Sequence, residues 1–241
     1  MKWTAALAVA LLSPAVANAR SGSVSSSTAT LDFLYAWPSQ AAGIPALDRY
    51  FRAQAAKALR TERVNAADDR EAAGQNHFPF RKHAFSMRWS VLGSSPRLLS
   101  LQGDLAWDSG GAHPNTGTQA LLWDRKLNRQ LKVDALFARM ADFARLTRTS
   151  FCTKLAAERL KRRQGEKLGG EFDQCPKFGD LAIAPVGKKR NGRFQAIQFT
   201  ASPYVAGPYV EGDYQISLPV TPKLVAALKR EYRSSFEAHR Q

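Results

Sequence analysis

The stretch WDSGGAHPNTGTQALLWD, Trp107 to Asp124, sets a glycine pair, a histidine, a proline and an asparagine between two apolar runs. His113 is the residue there most able to do chemistry, and Asp108 lies close enough in sequence to orient its ring. Ser109 precedes His113 by four residues in a glycine-rich turn, which is weak support for a nucleophile and base pair. A catalytic zinc needs about three protein ligands. The other histidines are His77, His83 and His239, and no HExxH pattern joins any of them. No G-x-G-x-x-G or Walker loop is present either, so neither a metal nor a cofactor is expected. A glycosidase would need two carboxylates roughly 5 to 9.5 Å apart, for which Asp104, Asp108 and Glu211 are the candidates near the motifs. A non-catalytic chain is the favoured reading, and a hydrolase acting on cell-wall glycan the alternative.

Bend formation accounts for most of the same stretch. Gly110 and Gly111 reach backbone angles barred to other residues, Pro114 fixes φ, and Asn115 can bond its own backbone. His113 is left over, open to a structural hydrogen bond, a ligand contact or catalysis.

The elements that must position these residues follow from composition and periodicity. Residues 1–19 read as a secretory leader: Lys2, an apolar run from Ala5 to Leu12, and Ala17-Asn18-Ala19 before a start at Arg20. Residues 20–30 are polar and small and read as a flexible leader. No later stretch approaches the ~18 apolar residues of a membrane span. Export favours a bridge between the two cysteines, Cys152 and Cys175. The formal net charge is +15, one less without Lys2. It favours an anionic cell-wall or envelope polymer or an acidic envelope protein, and export argues against nucleic acid. Lys161, Arg162 and Arg163, with Lys188, Lys189 and Arg190, form the expected basic surface, and Glu158 and Arg162 form an i,i+4 pair.

Leu31, Phe33 and Tyr35 alternate as a strand, then Ile44, Leu47, Phe51, Ala55 and Leu59 recur at helical spacing. Phe85, Met87, Trp89 and Val91 answer Leu99, Leu101, Leu105 and Trp107 across a Gly-Ser-Ser-Pro turn, which predicts an antiparallel hairpin. A strand follows the opening motif, and Leu136, Met140 and Phe143 mark a helix. Two further strands lie at 194–199 and 214–218. Thr221 and Pro222 cap a final helix carrying Val225, Leu228, Tyr232 and Phe236. The expected class is α+β, antiparallel hairpins packed with three or four helices, in two joined parts at 31–107 and 108–241.

GGAHPN (Gly110 to Asn115), SPYVAGPY (Ser202 to Tyr209) and ISLPV (Ile216 to Val220) together resemble an extracytoplasmic domain of unknown function. That domain is shared by the anti-sigma factor RsiV and the non-catalytic amino-terminal part of the peptidoglycan deacetylase PdaC. YAWPSQAAGIPALDRYF (Tyr35 to Phe51) looks like the segment preceding it. The resemblance implies an α+β envelope domain that recognises something outside the membrane: RsiV-like proteins sense lysozyme, and PdaC-like ones pair the domain with a glycan deacetylase. This chain holds neither a sigma-binding part nor a deacetylase domain, so neither output carries over. Lysozymes are mostly basic, so a receptor this basic meets one against its own field; a lysozyme-binding or inhibitor-like role is the lesser alternative. On this reading Asp108, His113, Asn115, Tyr204 and Tyr209 are the ligand contacts. Gly110, Gly111, Pro114, Gly207 and Pro208 make the turns that bring them together. Ordinary core packing is the competing account of both tyrosines.

Overall fold

The computed structural model describes residues 20–187 and 192–239. The expected leader at 1–19, and Lys188, Lys189 and Arg190, lie outside these described residues. The architecture is α+β, with a six-stranded sheet ordered β1 to β6 and a three-stranded sheet ordered β7 to β9.

The first sheet begins at β1 (Gly22–Ser27), which pairs antiparallel with β2 (Leu31–Trp37). Residues 20–30 are thus not a flexible leader. Small polar side chains bury little by themselves, but here the backbone finds a partner, and Val24 packs against the core. After a helical turn, α1 (Ser39–Ala42), the long helix α2 (Pro45–Gln75) crosses the sheet. Pro45 starts it without loss of a backbone bond. The stripe of Leu47, Phe51 and Ala55 is fully buried and continues to Ala66 and Ala73, so the polar run after Thr61 stays helical. The Asn76 side chain closes the helix on the Ala72 carbonyl at 2.7 Å.

This crossover makes β3 (His83–Ser94) parallel to β2, the one parallel pairing among the described strands. The predicted hairpin follows: β3 pairs antiparallel with β4 (Leu98–Asp108), and β4 with β5 (Asn115–Asp124). A short edge strand, β6 (Arg129–Leu131), completes the sheet. The expected boundary at 107/108 therefore cuts the β4–β5 hairpin, whose two strands share one hydrogen-bonded ladder.

The parity of the strands divides the residues between faces. Tyr35, Met87, Trp89, Leu101 and Leu121 face α2 and pack with Trp37 and Phe51. On the other face Leu98 and Leu122 join a second core with Phe151, Phe199 and Phe194. That core belongs to α3 (Met140–Arg162) and the antiparallel strands β7 (Ala182–Gly187), β8 (Phe194–Ala201) and β9 (Tyr214–Pro219). The Gln198 amide reaches Gln102 at 2.8 Å between the sheets.

Two helix expectations need correction. Leu136 ends a 3₁₀ turn and α3 starts only at Met140, which is exposed, so Leu136, Met140 and Phe143 share no single stripe. Thr221 does cap α4 (Pro222–Ala227) by accepting from the Leu224 amide at 3.2 Å. The helix then breaks at Leu228, and Tyr232 sits on a separate 3₁₀ turn with Phe236 just beyond it. Both aromatics are buried by this detour, because Tyr232 reaches Asp124 and Phe236 reaches Phe194.

Candidate functional site: an aromatic lip beside an open sheet face

The loop joining β4 to β5 turns at Gly110, whose φ of 83° lies in the left-handed region. A Cβ there would also stand 2.8 Å from the Arg81 Cβ, so the position excludes side chains twice over. Asp108 accepts from the Gly110 amide at 2.8 Å and thereby holds the bend. Asp108 does not orient His113, contrary to the sequence expectation. His113 instead closes on its neighbour, with Nδ1 3.0 Å from the Pro114 carbonyl oxygen. A carbonyl can only accept, so this contact places a proton on Nδ1 and leaves Nε2 as the ring's acceptor. Asn115 is the first residue of β5, paired with Trp107, and so belongs to the ladder.

The second loop, between β8 and β9, arrives from the other sheet. Its two ends are clipped to Thr118 of β5: Ser202 Oγ accepts from the Thr118 amide at 2.9 Å, and Asp213 from the Thr118 hydroxyl at 2.8 Å. Between them the chain reverses through Tyr204, whose φ of 70° is unusual for a bulky residue and lifts its ring into solvent at 56% exposure. The His113 and Tyr209 rings stack with centroids 4.0 Å apart, and the Tyr209 hydroxyl donates to the Pro114 carbonyl at 2.5 Å. Tyr204 lies 5.9 Å from Tyr209, and its hydroxyl is 3.5 Å from His113 Nε2. The two motifs, some ninety residues apart, thus form one exposed lip of three rings.

Beside the lip the half of the six-stranded sheet face not covered by the second sheet stays open. It forms a concavity of about 620 Å³. Its floor carries the short side chains of Ser25, Ala84, Ser86 and Ala106 around Leu34, with Arg88 on one side and Asp108 and Pro114 at the lip. The register sets Leu34, Ser86, Ala106 and Thr116 in one row across the strands.

A buried ionic network supports the aromatic loop from beneath. Arg163, at the end of α3, spans Glu211 at 2.7 and 3.0 Å and Asp173 at 2.6 Å, with its side chain only 5% exposed. Glu211 also accepts from the Tyr214 hydroxyl. The Arg163 guanidinium, assisted by that hydroxyl, holds the Glu211 carboxyl below the usual carboxylate range against the opposing effect of burial. Gly207 is needed because a Cβ there would run into the Glu211 carboxylate. Sequence reasoning placed Arg163 on the basic surface. The i,i+4 spacing from Arg159 was the available signal, and only the returning loop reveals that both residues turn inward. Lys161 is exposed, and the Arg162 side chain is partly covered, bonding Glu158 at 2.9 Å with its guanidinium 4.1 Å from the centre of the Tyr214 ring.

Residues 24–116 match the family model described as Deacetylase PdaC. This PdaC-like segment runs from β1 to the start of β5 and so includes His113 but neither tyrosine of the lip. No curated protein matches the chain. A DUF3298 family member from Bacteroides fragilis NCTC 9343 superposes with a TM-score of 0.54 at 16% identity, covering 89% of this chain and 95% of its own. A DUF3298 family protein from Pseudomonas aeruginosa PAO1 gives 0.58 at 14% identity, covering 91% and 95%. The chain thus joins a PdaC-like segment to the fold of the DUF3298 structures, in line with the resemblance read from the sequence.

The carboxylates considered for hydrolysis have other engagements. Asp104 accepts from Gln102 at 2.8 Å and lies opposite Arg88 in the ladder; Glu211 is an ionised anchor. Among the described residues no three His, Cys, Asp or Glu side chains gather as a metal site, and no helix is long and apolar enough to cross a membrane. Cys152 and Cys175 are bridged, with Cα atoms 5.4 Å apart.

Proposed function

We propose that this chain is a non-catalytic cell-envelope domain that binds an anionic cell-wall polymer across the open sheet face, gripping it at the aromatic lip. The observation that carries the reading is the His113, Tyr204 and Tyr209 cluster. Three rings from distant segments are held together at the surface, one of them by an unusual backbone angle. Flat amphipathic rings suit the apolar faces of sugars, while His113 Nε2 and the Tyr204 hydroxyl, 3.5 Å apart, can exchange that long contact for bonds to sugar hydroxyl groups. The formal net charge of +15 favours approach of an anionic polymer at low ionic strength. The leader-like amino terminus and the disulfide support placement outside the cytoplasm.

An acidic envelope protein is the second reading, favoured by Val210, 89% exposed at the tip of the same loop. The deciding experiment is co-sedimentation with insoluble peptidoglycan across a salt series. Retention should weaken as salt rises. His113→Ala should lower it about tenfold, the effect of losing ~1.4 kcal/mol of contact, with the melting temperature unchanged. No retention even at low salt removes the polymer reading. Soluble fragments released from peptidoglycan by the wild-type chain would overturn the non-catalytic one.

A further inference from the structure

We infer that the Cys152–Cys175 bridge controls the aromatic lip from a distance, with Arg159 and Arg163 as the positioning residues that carry the coupling. The inference rests on the lip being the binding site proposed above. Each of the two arginines holds the segment tied down by the bridge with one side of its guanidinium and the lip loop with the other. Arg159 donates from Nη1 to the Gln174 carbonyl at 2.9 Å and from Nε to the Ala206 carbonyl at 2.8 Å. Arg163 binds Asp173 at 2.6 Å on the first side and Glu211 at 2.7 Å on the second. Asp173, Gln174 and Cys175 are consecutive, so the bridge fixes the groups that both arginines grip.

The bridged segment has little regular structure of its own, and past the bridge it is held by Phe178, which packs on Phe143, Phe151 and Phe199. From Gln164 to Leu181 it contains only two short 3₁₀ turns, at Gly170–Asp173 and Phe178–Asp180, and it passes through positive φ at Gln164, Gly165, Gly169 and Gly170. Among its other ties, Arg148 reaches the Cys175 and Pro176 carbonyls only at 3.4 and 3.5 Å. Arg159 is 4% exposed, and its Nη2 already lacks a partner. Loss of the Gln174 carbonyl would leave a buried cation with still fewer bonds, a state proteins escape by moving the side chain toward water. That movement withdraws the Nε bond from Ala206, two residues from Tyr204 and three from Tyr209. Both cysteines are half-buried, within reach of a small reductant. A dithiol supplies the two electrons and two protons that convert the bridge to two thiols, and is itself oxidised to a disulfide.

The test compares the full chain oxidised and after treatment with dithiothreitol, with a Cys152→Ser/Cys175→Ser variant and an oxidised Arg163→Met variant alongside. The readouts are the ring-current shift of the His113 imidazole protons, amide exchange in 203–211, and retention on insoluble peptidoglycan. Reduction should abolish the shift and speed exchange in 203–211 by about tenfold or more, leaving Leu99, Leu101 and Leu121 protected. Arg163→Met should reproduce this without reduction. An unchanged lip in the reduced protein overturns the coupling. So does simultaneous loss of protection in both sheets, which would make the bridge a support for the whole fold. A lip that loosens in a protein whose oxidised form never held peptidoglycan leaves the coupling standing and defeats the polymer reading instead.

Discussion

Around the six-stranded sheet, order comes from regular elements. One long helix lies across a face built of alternating residues, and two of the large rings there find partners for their indole N–H groups inside this region. Trp37 bonds Asp48 at 2.9 Å, and Trp89 bonds the Tyr35 hydroxyl at 3.0 Å. Around the three-stranded sheet, Phe143, Phe151, Phe178 and Phe199 pack with centroids 4.9 to 5.9 Å apart, but the chain between the elements is irregular. It is held by a disulfide, buried arginines and carboxylates. The first region rests on regular strands and one helix stripe, whereas the second depends on charged groups that are costly to leave unpaired. The lip draws one ring from the first region's hairpin and two from the second's polar scaffold.

The sharpest way to break this contrast is at Asp124, which ties the regions together. It is fully buried. One oxygen takes Arg97 and Tyr232, each at 3.0 Å, and the other takes the Lys126 and Leu127 amides. Asp124→Ala strands the Arg97 charge and should cost about 3 to 5 kcal/mol in urea unfolding. A loss under about 1 kcal/mol would show that the regions do not lean on this carboxylate.

A smaller effect sharpens the account of the second region. Gly207→Ala forces a methyl group against Glu211 and should destabilise by about 1 to 3 kcal/mol. Hydrogen exchange should rise in the 203–211 loop and not under α2. Equal changes in both regions would mean that the lip loop is not separately supported.

The smallest is a dependence on acid. Arg163 and Tyr214 hold the Glu211 carboxyl below its ordinary value of 4.5, so its ionised form is favoured by folding. Its contribution is therefore complete above that value and is lost as pH falls through the lowered one. For Asp124, burial pushes upward but is outweighed by the Leu127 amide, Arg97, Tyr232 and the Lys126 amide, so the sign is the same. Melting temperature should fall as pH drops below about 4.5, and by less in Glu211→Gln. An equal fall in that variant would place the acid sensitivity elsewhere.

Where one side of an element was wet and the other apolar, the sequence was legible. The β3–β4 hairpin, the first half of α2, β8 and β9, and the Thr221 cap all follow from periodicity and local chemistry. Polar backbone was not: β1 has almost no apolar signal, because its gain is hydrogen bonding to a neighbour that only the sheet supplies. The final helix was overextended for the converse reason, since Leu228, Tyr232 and Phe236 keep helical spacing while their burial sites lie in different directions.

By its own residues the sequence determined an α+β chain of high positive charge with a glycine-bracketed histidine bend and a tyrosine-bearing bend, because turn chemistry and apolar periodicity act over a few neighbouring positions. Tertiary structure decided that His113 stacks on Tyr209 and that Arg163 is an internal tie. Those outcomes depend on which rings and buried charges find partners far along the chain, 48 residues away for Arg163 and Glu211 and 96 for His113 and Tyr209, and no local pattern encodes that choice.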